Sequence, residues 1–194
     1  FEDLDNPIEL FKKWFSKAEK TEINDPNAVA IATSNRDNQP NVRMVLLKGL
    51  SDKGFVFYTN YDSEKGKAIA QNPNLCLSFF WPHLEQQVII KGRAEKVSEE
   101  TSTAYFHSRP EGSQLGAWTS PQSEVIPDRE FLENRLKELE EKYNTGEIPK
   151  PPHWGGYLVV PTEFEFWQGR PNRLHDRLRY TPGGVHWKLE RLAP

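Results

Sequence analysis

The chain has 194 residues, of which 36% are hydrophobic and 27% charged, and its formal net charge is −3 at pH 7. This composition fits a soluble globular protein with a single domain over residues 1–194, and the acidic balance excludes a general nucleic-acid-binding surface. One cysteine excludes an internal disulfide, the apolar runs are far shorter than the roughly 20 residues that cross a bilayer, and no signal-peptide pattern is present, so we expect a cytoplasmic protein without membrane association.

The first predicted element is a helix over residues 7–20, which begins with Asn6 as N-cap followed by a proline. Runs of β-forming residues follow, and the turn-forming residues between the early runs predict antiparallel hairpins. The predicted strands of this half cover residues 28–34, 41–50, 54–59, 75–81 and 86–97. A short helix over 63–73, capped by Asp62 or Ser63, interrupts them.

The second half begins with a predicted helix that is capped by Ser98 and ends before Pro110. Another helix is predicted over 128–143, because its leucines recur along one face. The remaining strand-like runs cover residues 155–160, 163–168, 175–180 and 185–190. Since helices do not alternate with strands as in βαβ units, the sequence predicts a mainly β fold, a barrel with flanking helices.

Three common kinds of site have no support in the sequence. The five histidines are scattered without the spacing of metal ligands, so no metal site is predicted. Neither a GxSxG nucleophile elbow nor a glycine-rich phosphate loop is present. A phosphate would therefore have to be bound by side chains.

Several cations offer such side chains. Arg43 and Lys48 flank the apolar run "MVLL", and strict alternation along one strand would place them on opposite faces, where they need not serve the same anion. Lys65 lies at the start of the short helix, where free N–H groups favour an anion. A further set suited to a phosphate comprises Tyr105, Arg109 and Ser113. For each of these cations, an ordinary solvated position is the alternative.

The stretch "FWQGRPNRLHDR", residues 166–177, is dense in cations. Trp167, Arg173, His175 and Arg177 occupy odd positions and would share one face of an extended chain. An aromatic plane beside guanidinium and imidazole groups suits a flat, anionic heterocycle. The alternative is an exposed edge strand with protective charges.

Short motifs follow one another along the whole chain: "RMVLLKG", "FYTN", "YFHSRP", "SQLGAW", "QS", "VIPDRE", "WGGY", "FWQG", "NRLHDR" and the terminal "RLAP". In this order they resemble the pyridoxamine 5'-phosphate oxidase family, and "RLHDR" following "FWQG" is the most specific of them. The resemblance implies an FMN-binding split β-barrel. It also implies a homodimer with FMN at the subunit interface.

The activity implied by the resemblance is FMN-dependent oxidation of pyridoxamine 5'-phosphate or pyridoxine 5'-phosphate to pyridoxal 5'-phosphate. O2 would be reduced to H2O2, and hydride would pass from the substrate C4' to the flavin N5. The residues implied to bind FMN are Arg43, Met44, Val45, Leu46, Tyr58, Thr59, Lys65, Gln87, Gln122, Ser123, Trp167 and Arg177. The residues implied to bind the substrate are Lys48, Tyr105, Arg109, Ser113, Arg173, Leu174 and His175. Arg173 and His175 would be the catalytic pair, because they would orient the substrate.

Glu64 departs from the family pattern, in which an arginine occupies this FMN-binding position before the lysine. A carboxylate aimed at the FMN phosphate would repel it by roughly 3 kcal/mol, for a separation of about 5 Å and an effective dielectric constant near 20 without solvent screening. Because Glu64 can turn outward, the sequence predicts weaker retention of FMN and not the loss of the site.

A split-barrel protein that binds FMN or pyridoxal phosphate without turnover, as a carrier or sensor, is the competing hypothesis. Such a protein would have no reason to keep the full set of substrate-binding residues, and this chain has that set. A nucleic-acid partner is disfavoured by the sequence pI near 6.0 and by the lack of a continuous basic stripe.

Overall fold

A computed structural model of the chain describes residues 4–22 and 24–194, and most of its regular structure consists of strands. The helices are α1 (Pro7–Thr21), α2 (Glu64–Gln71), α3 (Glu99–Ser108), α4 (Glu111–Thr119) and α5 (Arg129–Lys142). The strands are β1 (Ala28–Ser34), β2 (Pro40–Leu46), β3 (Gly49–Ser51), β4 (Gly54–Asn60), β5 (Asn74–Trp81), β6 (Gln86–Lys96), β7 (Trp154–Gln168), β8 (Asp176–Gly183) and β9 (His186–Leu192). The predicted fold class, mainly β with flanking helices, is confirmed. Over the described residues, none of the helices has the length and apolar character needed to span a bilayer.

Side-chain caps determine where four of the helices begin. Asn6 accepts a backbone hydrogen bond at the start of α1, and Ser63, not Asp62, does so for α2. Ser98 and Asp128 cap α3 and α5 in the same way. These contacts confirm the predicted helices.

The sequence does not predict α4. This helix follows directly on Pro110, which offers no side-chain cap, and it contains two glycines, Gly112 and Gly116. Both features weaken the local signal for a helix. Packing against α3 and α5 in a shared apolar cluster stabilises it instead.

All strand pairs are antiparallel and form one sheet in the order β2-β1-β5-β6-β7-β4-β3, with β8 paired to β7 and β9 paired to β8. Along one edge, β7 pairs with β6 over nearly its whole length. Along its other edge it pairs first with β4 and then with β8. The sheet therefore divides at β7 into two branches.

The division occurs at Pro161, between the last residue of β7 that pairs with β4 and the first that pairs with β8. Proline has no N–H to donate, so it fits a position where the outer edge of the strand has no partner. Thr162 is the extra residue of a bulge against β6. The prediction of separate strands over 155–160 and 163–168 is wrong, because the chain bulges here without leaving the sheet.

The predicted strand over 41–50 is also wrong, because the chain breaks between β2 and β3. Leu47 turns into the core, where it is buried, and its N–H donates to the Asn27 carbonyl. The Lys48 N–H donates to the carbonyl of Val56 on β4. The break thus redirects Lys48 relative to the residues of β2.

Two apolar cores support the site. In the larger core, Phe11 of α1 packs edge-on against Phe55 and Phe79 of the sheet, each with 4.9 Å between ring centroids. The smaller core lies between α3, α4, α5 and the start of β7, and it contains Phe106 and Trp154. This smaller core holds these helices against the sheet.

Candidate functional site

A cavity of about 630 Å³ lies between β2, β4, the start of α2 and the junction of α3 with α4. This volume is within the range of small-molecule sites, roughly 300–1,000 Å³. The predicted site residues that line it are Arg43, Met44, Val45, Leu46, Lys48, Tyr58, Thr59, Lys65, Tyr105, Arg109, Ser113 and Gln122. The fold thus brings together residues that are far apart in the sequence.

Arg43 and Lys48 both line this cavity, so the prediction that they face opposite sides is wrong. That prediction assumed one regular strand with strict alternation. The chain leaves β2 after Leu46, and the alternation does not continue through the break. Both cations therefore face the same space.

Lys65 is the most buried cation of the cavity wall, with 5% of its surface exposed. Its Nζ donates to Thr59 Oγ1 at 3.0 Å and to Ser63 Oγ at 3.5 Å, and both acceptors are neutral. Burial lowers the pKa of Lys65, Arg43 lowers it further, and Glu64 acts in the opposite direction. A buried ammonium beside a second cation suits the phosphate group of FMN, so these residues fit that cofactor.

Glu64 does not line the cavity. Its Oε1 accepts a hydrogen bond of 2.9 Å from Nδ2 of Asn41, at the start of β2. The Glu64 side chain is exposed to solvent at this position. Its carboxylate is therefore held by β2, while its charge still acts on Lys65.

A second polar group lies where α3 passes into α4. Tyr105 on α3, Arg109 between the helices and Ser113 in the first turn of α4 all line the cavity. Burial lowers the pKa of Arg109, and Tyr105 opposes this shift. Nη1 of Arg109 is buried and has no hydrogen-bond partner among the described residues, so the guanidinium keeps a donor for a ligand.

The residues of the 166–177 stretch do not line this cavity of their own chain. They form a hairpin in which β7 ends at Gln168, a short turn of 3₁₀ helix covers Pro171–Arg173, and β8 starts at Asp176. Trp167 lies opposite Arg177 in the register of β7 with β8. The prediction of one extended chain is therefore wrong, although Trp167 and Arg177, as directly opposed residues, still lie on one face of the sheet.

His175 has a defined hydrogen bond in this hairpin. Its Nδ1 accepts from the backbone N–H of Arg170 at 3.1 Å, so the proton of the neutral imidazole is on Nε2. Its ring lies 4.7 Å from that of Trp167, measured between centroids. A second cavity of about 420 Å³ lies here, lined by His175, Leu174 and the last residues of β9 and the C-terminus.

Arg173 and Arg177 complete the hairpin group. Arg173 has a left-handed backbone with φ of 61°, which turns the chain back toward β8. The Nε of Arg177 donates to Glu165 Oε1 at 2.7 Å, and this hydrogen bond raises its pKa. Neither guanidinium lines the main cavity of its own chain.

Two further predicted residues also lie outside the main cavity. Gln87 is on β6, where its Nε2 donates to Ser78 Oγ at 3.1 Å. Ser123 is exposed after α4 and has a left-handed backbone with φ of 71°. Like the residues of the hairpin, neither Gln87 nor Ser123 lines the main cavity of its own chain.

Trp154 is a cavity-lining residue that the sequence reasoning did not single out. It begins β7, and it is the first residue of the "WGGY" motif. The motif was the available signal, but it gave no indication of which neighbours the indole contacts. The other cavity residues that were not predicted are Asn60, Pro110, Gly116, Ala117 and Ser120.

Comparison with known families and proteins gives consistent matches over nearly the whole chain. The model of the family described as "Pyridoxamine 5'-phosphate oxidase" matches residues 15–143, and that of the "Pyridoxine 5'-phosphate oxidase C-terminal dimerisation region" matches 154–194. The pyridoxine/pyridoxamine 5'-phosphate oxidase of Salinibacter ruber is 56% identical over 98% of this chain and 90% of its own length. That of a Nostoc species is 56% identical over 97% of this chain and 89% of its own.

Solved structures give the same fold. PhzG from Burkholderia lata, crystallised with tetrahydrophenazine-1-carboxylic acid, has a TM-score of 0.93 and 30% identity, covering 100% of this chain and 95% of its own. A pyridoxamine 5'-phosphate oxidase-related, FMN-binding protein of Nostoc punctiforme has a TM-score of 0.76 and 16% identity, with full coverage of both chains. The curled sheet is thus the split barrel that the resemblance implied.

Three observations point to the same family: the cations that line the cavity, the match to the dimerisation region, and the identity with the relatives. The chain belongs to the pyridoxine/pyridoxamine 5'-phosphate oxidase family, whose members are FMN-dependent oxidoreductases of vitamin B6 metabolism.

Proposed function

We propose that this protein oxidises pyridoxamine 5'-phosphate or pyridoxine 5'-phosphate to pyridoxal 5'-phosphate, with O2 reduced to H2O2. Bound FMN supplies the hydride acceptor for the substrate C4' hydrogen and the route for electrons to O2. The protein's own residues bind the two phosphate-bearing molecules and orient the substrate.

The observation that carries this proposal is the presence of two groups of cations that line one cavity. Lys65 belongs with Arg43, which affects its pKa. The second group consists of Arg109 and Lys48, which line the same cavity. Tyr105 raises the pKa of Arg109. Two phosphate esters, one on FMN and one on the substrate, would use two such groups.

We assign the first group to FMN. Lys65 and Arg43 would hold its phosphate, and Tyr58, Thr59 and Gln122 would complete the wall. Thr59 Oγ1 lies 3.3 Å from Gln122 Oε1, which links β4 to the turn after α4. The backbone of Met44, Val45 and Leu46 would lie along the flavin, because β2 forms that side of the cavity.

We assign the second group to the substrate. Lys48, Tyr105, Arg109 and Ser113 would bind its phosphate. The buried Nη1 of Arg109 has no partner among the described residues and would donate to a phosphate oxygen. Because Nη1 of Arg109 needs a hydrogen-bond acceptor, phosphorylated substrates would be favoured over unphosphorylated ones.

A second copy of the chain would complete each site. The hairpin residues and Gln87 and Ser123 do not line the cavity of their own chain, yet the 154–194 region that contains the hairpin matches the family's dimerisation region. Arg173, Leu174 and His175 of one copy would lie over the substrate in the cavity of the other. Nε2–H of His175 would be available to the substrate, because Nδ1 is occupied by Arg170.

The test is peroxide production by the purified protein with added FMN and pyridoxine 5'-phosphate, with unphosphorylated pyridoxine as the control substrate. We expect peroxide and pyridoxal 5'-phosphate in a 1:1 ratio, about one of each per turnover, from the phosphorylated compound. A bound flavin spectrum without peroxide would instead support a carrier that binds FMN without turnover.

A further inference from the structure

Arg109 is half-buried, and its guanidinium packs against an aromatic ring. Its guanidinium carbon lies 4.8 Å from the ring centroid of Trp154, which is the distance of a cation–π contact. Burial lowers the pKa of Arg109 and Tyr105 raises it, and no carboxylate is among the causes of this shift. One guanidinium nitrogen, Nη1, is buried without a hydrogen bond within the described chain.

Trp154 is held firmly in this place by other rings. Its plane is nearly parallel to those of Tyr58 and Tyr105, at 13° and 5°, with centroids 5.5 and 6.1 Å away. Phe106 packs against it at an angle of 67°. Only 6% of the surface of Trp154 is exposed, so the indole has little room to rotate.

The backbone of Trp154 is held by a buried lysine. Nζ of Lys150 donates to the carbonyl of Trp154 at 2.6 Å and to that of Pro151 at 2.8 Å. The same ammonium pairs with Glu99, in the first turn of α3, at 2.9 Å. Lys150 thus connects the start of β7 to α3, the helix that ends just before Arg109.

An aromatic partner has a different effect from a carboxylate partner. A carboxylate would hold the guanidinium but would neutralise its charge and compete with an incoming phosphate. An indole face attracts the cation through its quadrupole and contributes no net negative charge. The guanidinium is therefore oriented in advance and retains its full charge for an anionic ligand.

We propose that Trp154 is a positioning residue that sets the preference for phosphorylated substrates by holding Arg109 toward the substrate phosphate. The inference rests on the proposed oxidase function. Trp154 acts through Arg109, and it is not expected to determine the affinity for FMN.

The experiment compares three variants with the wild-type holoenzyme. Trp154→Phe keeps an aromatic face, and Trp154→Met keeps an apolar chain without a ring. Trp118→Leu is the matched control, because Trp118 packs in the same helical cluster and donates to the Pro149 carbonyl but does not line the cavity. The readouts are KM and kcat for pyridoxine 5'-phosphate, turnover of free pyridoxine, inhibition by inorganic phosphate, and the Kd of FMN.

For Trp154→Met we expect KM for the phosphorylated substrate and the inhibition constant of phosphate to rise about tenfold, which corresponds to about 1.4 kcal/mol. The rate with free pyridoxine, kcat and the Kd of FMN should change less than about threefold. Trp154→Phe should retain most of the wild-type preference. Trp118→Leu should lower stability without altering the preference between the two substrates.

An equal loss with both substrates in Trp154→Met would overturn the inference, because it would indicate a general structural role. If that variant does not fold, Trp154→Leu repeats the comparison, and unchanged phosphate inhibition in any folded variant without a ring also overturns it. Failure of the proposed function is distinguishable, because the wild-type protein itself would then make no peroxide. Phosphate binding to the wild type and variants, measured directly by calorimetry, would still test the role of Trp154.

Discussion

The imidazole of His175 lies against the indole of Trp167, with 4.7 Å between ring centroids, at the end of the hairpin formed by β7 and β8. We expect that replacing both Arg173 and His175 with alanine leaves Trp167 in place, because Trp167 is part of β7. Because orientation of the substrate contributes much of the rate, we expect turnover to fall by at least about 100-fold. FMN binding should change less than about threefold, as measured by quenching of flavin fluorescence. Unchanged peroxide production in the double variant would reject the catalytic role.

Mixed dimers test whether the hairpin serves a second copy. Arg109→Ala and the variant with alanine at Arg173 and His175 should each be nearly inactive alone. When the two chains are refolded together, about half of the dimers are mixed, and each mixed dimer has one intact site out of two. We therefore expect about a quarter of the wild-type activity. If each chain uses its own hairpin, mixing will restore nothing.

Glu64 offers a test of cofactor retention. Glu64→Gln removes the charge and keeps an oxygen that can accept from Nδ2 of Asn41. We expect FMN to bind about three- to tenfold more tightly, and Glu64→Arg to bind it more tightly still, because repulsion of the phosphate is removed. The difference in FMN affinity between the wild type and these variants should shrink at high salt, since the Glu64 side chain is exposed. Equal Kd values, with a wild-type protein that stays yellow through long dialysis, would contradict the prediction.

Lys65 predicts a pH dependence of FMN binding. Its pKa in the folded protein lies below the ordinary lysine value of 10.5, because burial disfavours the ammonium. Affinity for the FMN phosphate should therefore fall as pH rises through that lowered value. Stability of the protein without FMN should move in the opposite direction, because the unfolded chain binds more protons in this range.

Lys65→Arg is the control for this prediction, since arginine keeps its charge throughout the range. Its Kd for FMN should stay nearly constant while that of the wild type rises. Fluorescence titrations at several alkaline pH values would measure both. Parallel curves for the two proteins would assign the pH dependence to another group.

The glycines of the "WGGY" motif predict a stability effect. A Cβ on Gly155 would clash with the hydroxyls of Tyr61 and Ser102, so Gly155→Ala should lower the free energy of unfolding by about 1–3 kcal/mol. At Gly112, in α4, an added Cβ meets no atom within 4 Å. Gly112→Ala should therefore be neutral or stabilising by up to about 1 kcal/mol. Urea unfolding of both variants checks the contrast, and equal changes would contradict it.

Local signals in the sequence predicted most of the secondary structure. Side-chain caps such as Asn6 and Ser98 locate helices because they act on adjacent backbone groups. The sequence did not predict that β7 continues through Pro161, because the position of this proline in the sheet depends on which strands flank β7. Helix α4 was not predicted because tertiary packing, and not a cap, stabilises it.

The sequence predicted which residues form the site, but it predicted their arrangement less well. Alternation placed Arg43 and Lys48 on opposite faces, because nothing local indicates that Leu47 leaves the strand for the core. The contact of Trp154 with Arg109 joins two segments that are distant in sequence, so no local pattern reports it. The family motifs supplied these residues as a set, without their geometry.

Trp154 and Trp167 lie on the same strand, β7, and the strand between them spans roughly 40 Å along the chain at about 3.3 Å per residue. In the proposed assignment, one end of this strand forms the protein's own cavity wall and the other end reaches into the neighbour's. A single strand then sets the separation of the two reaction centres in a pair. Activity would then require the pair, so dilution that separates the copies would abolish turnover.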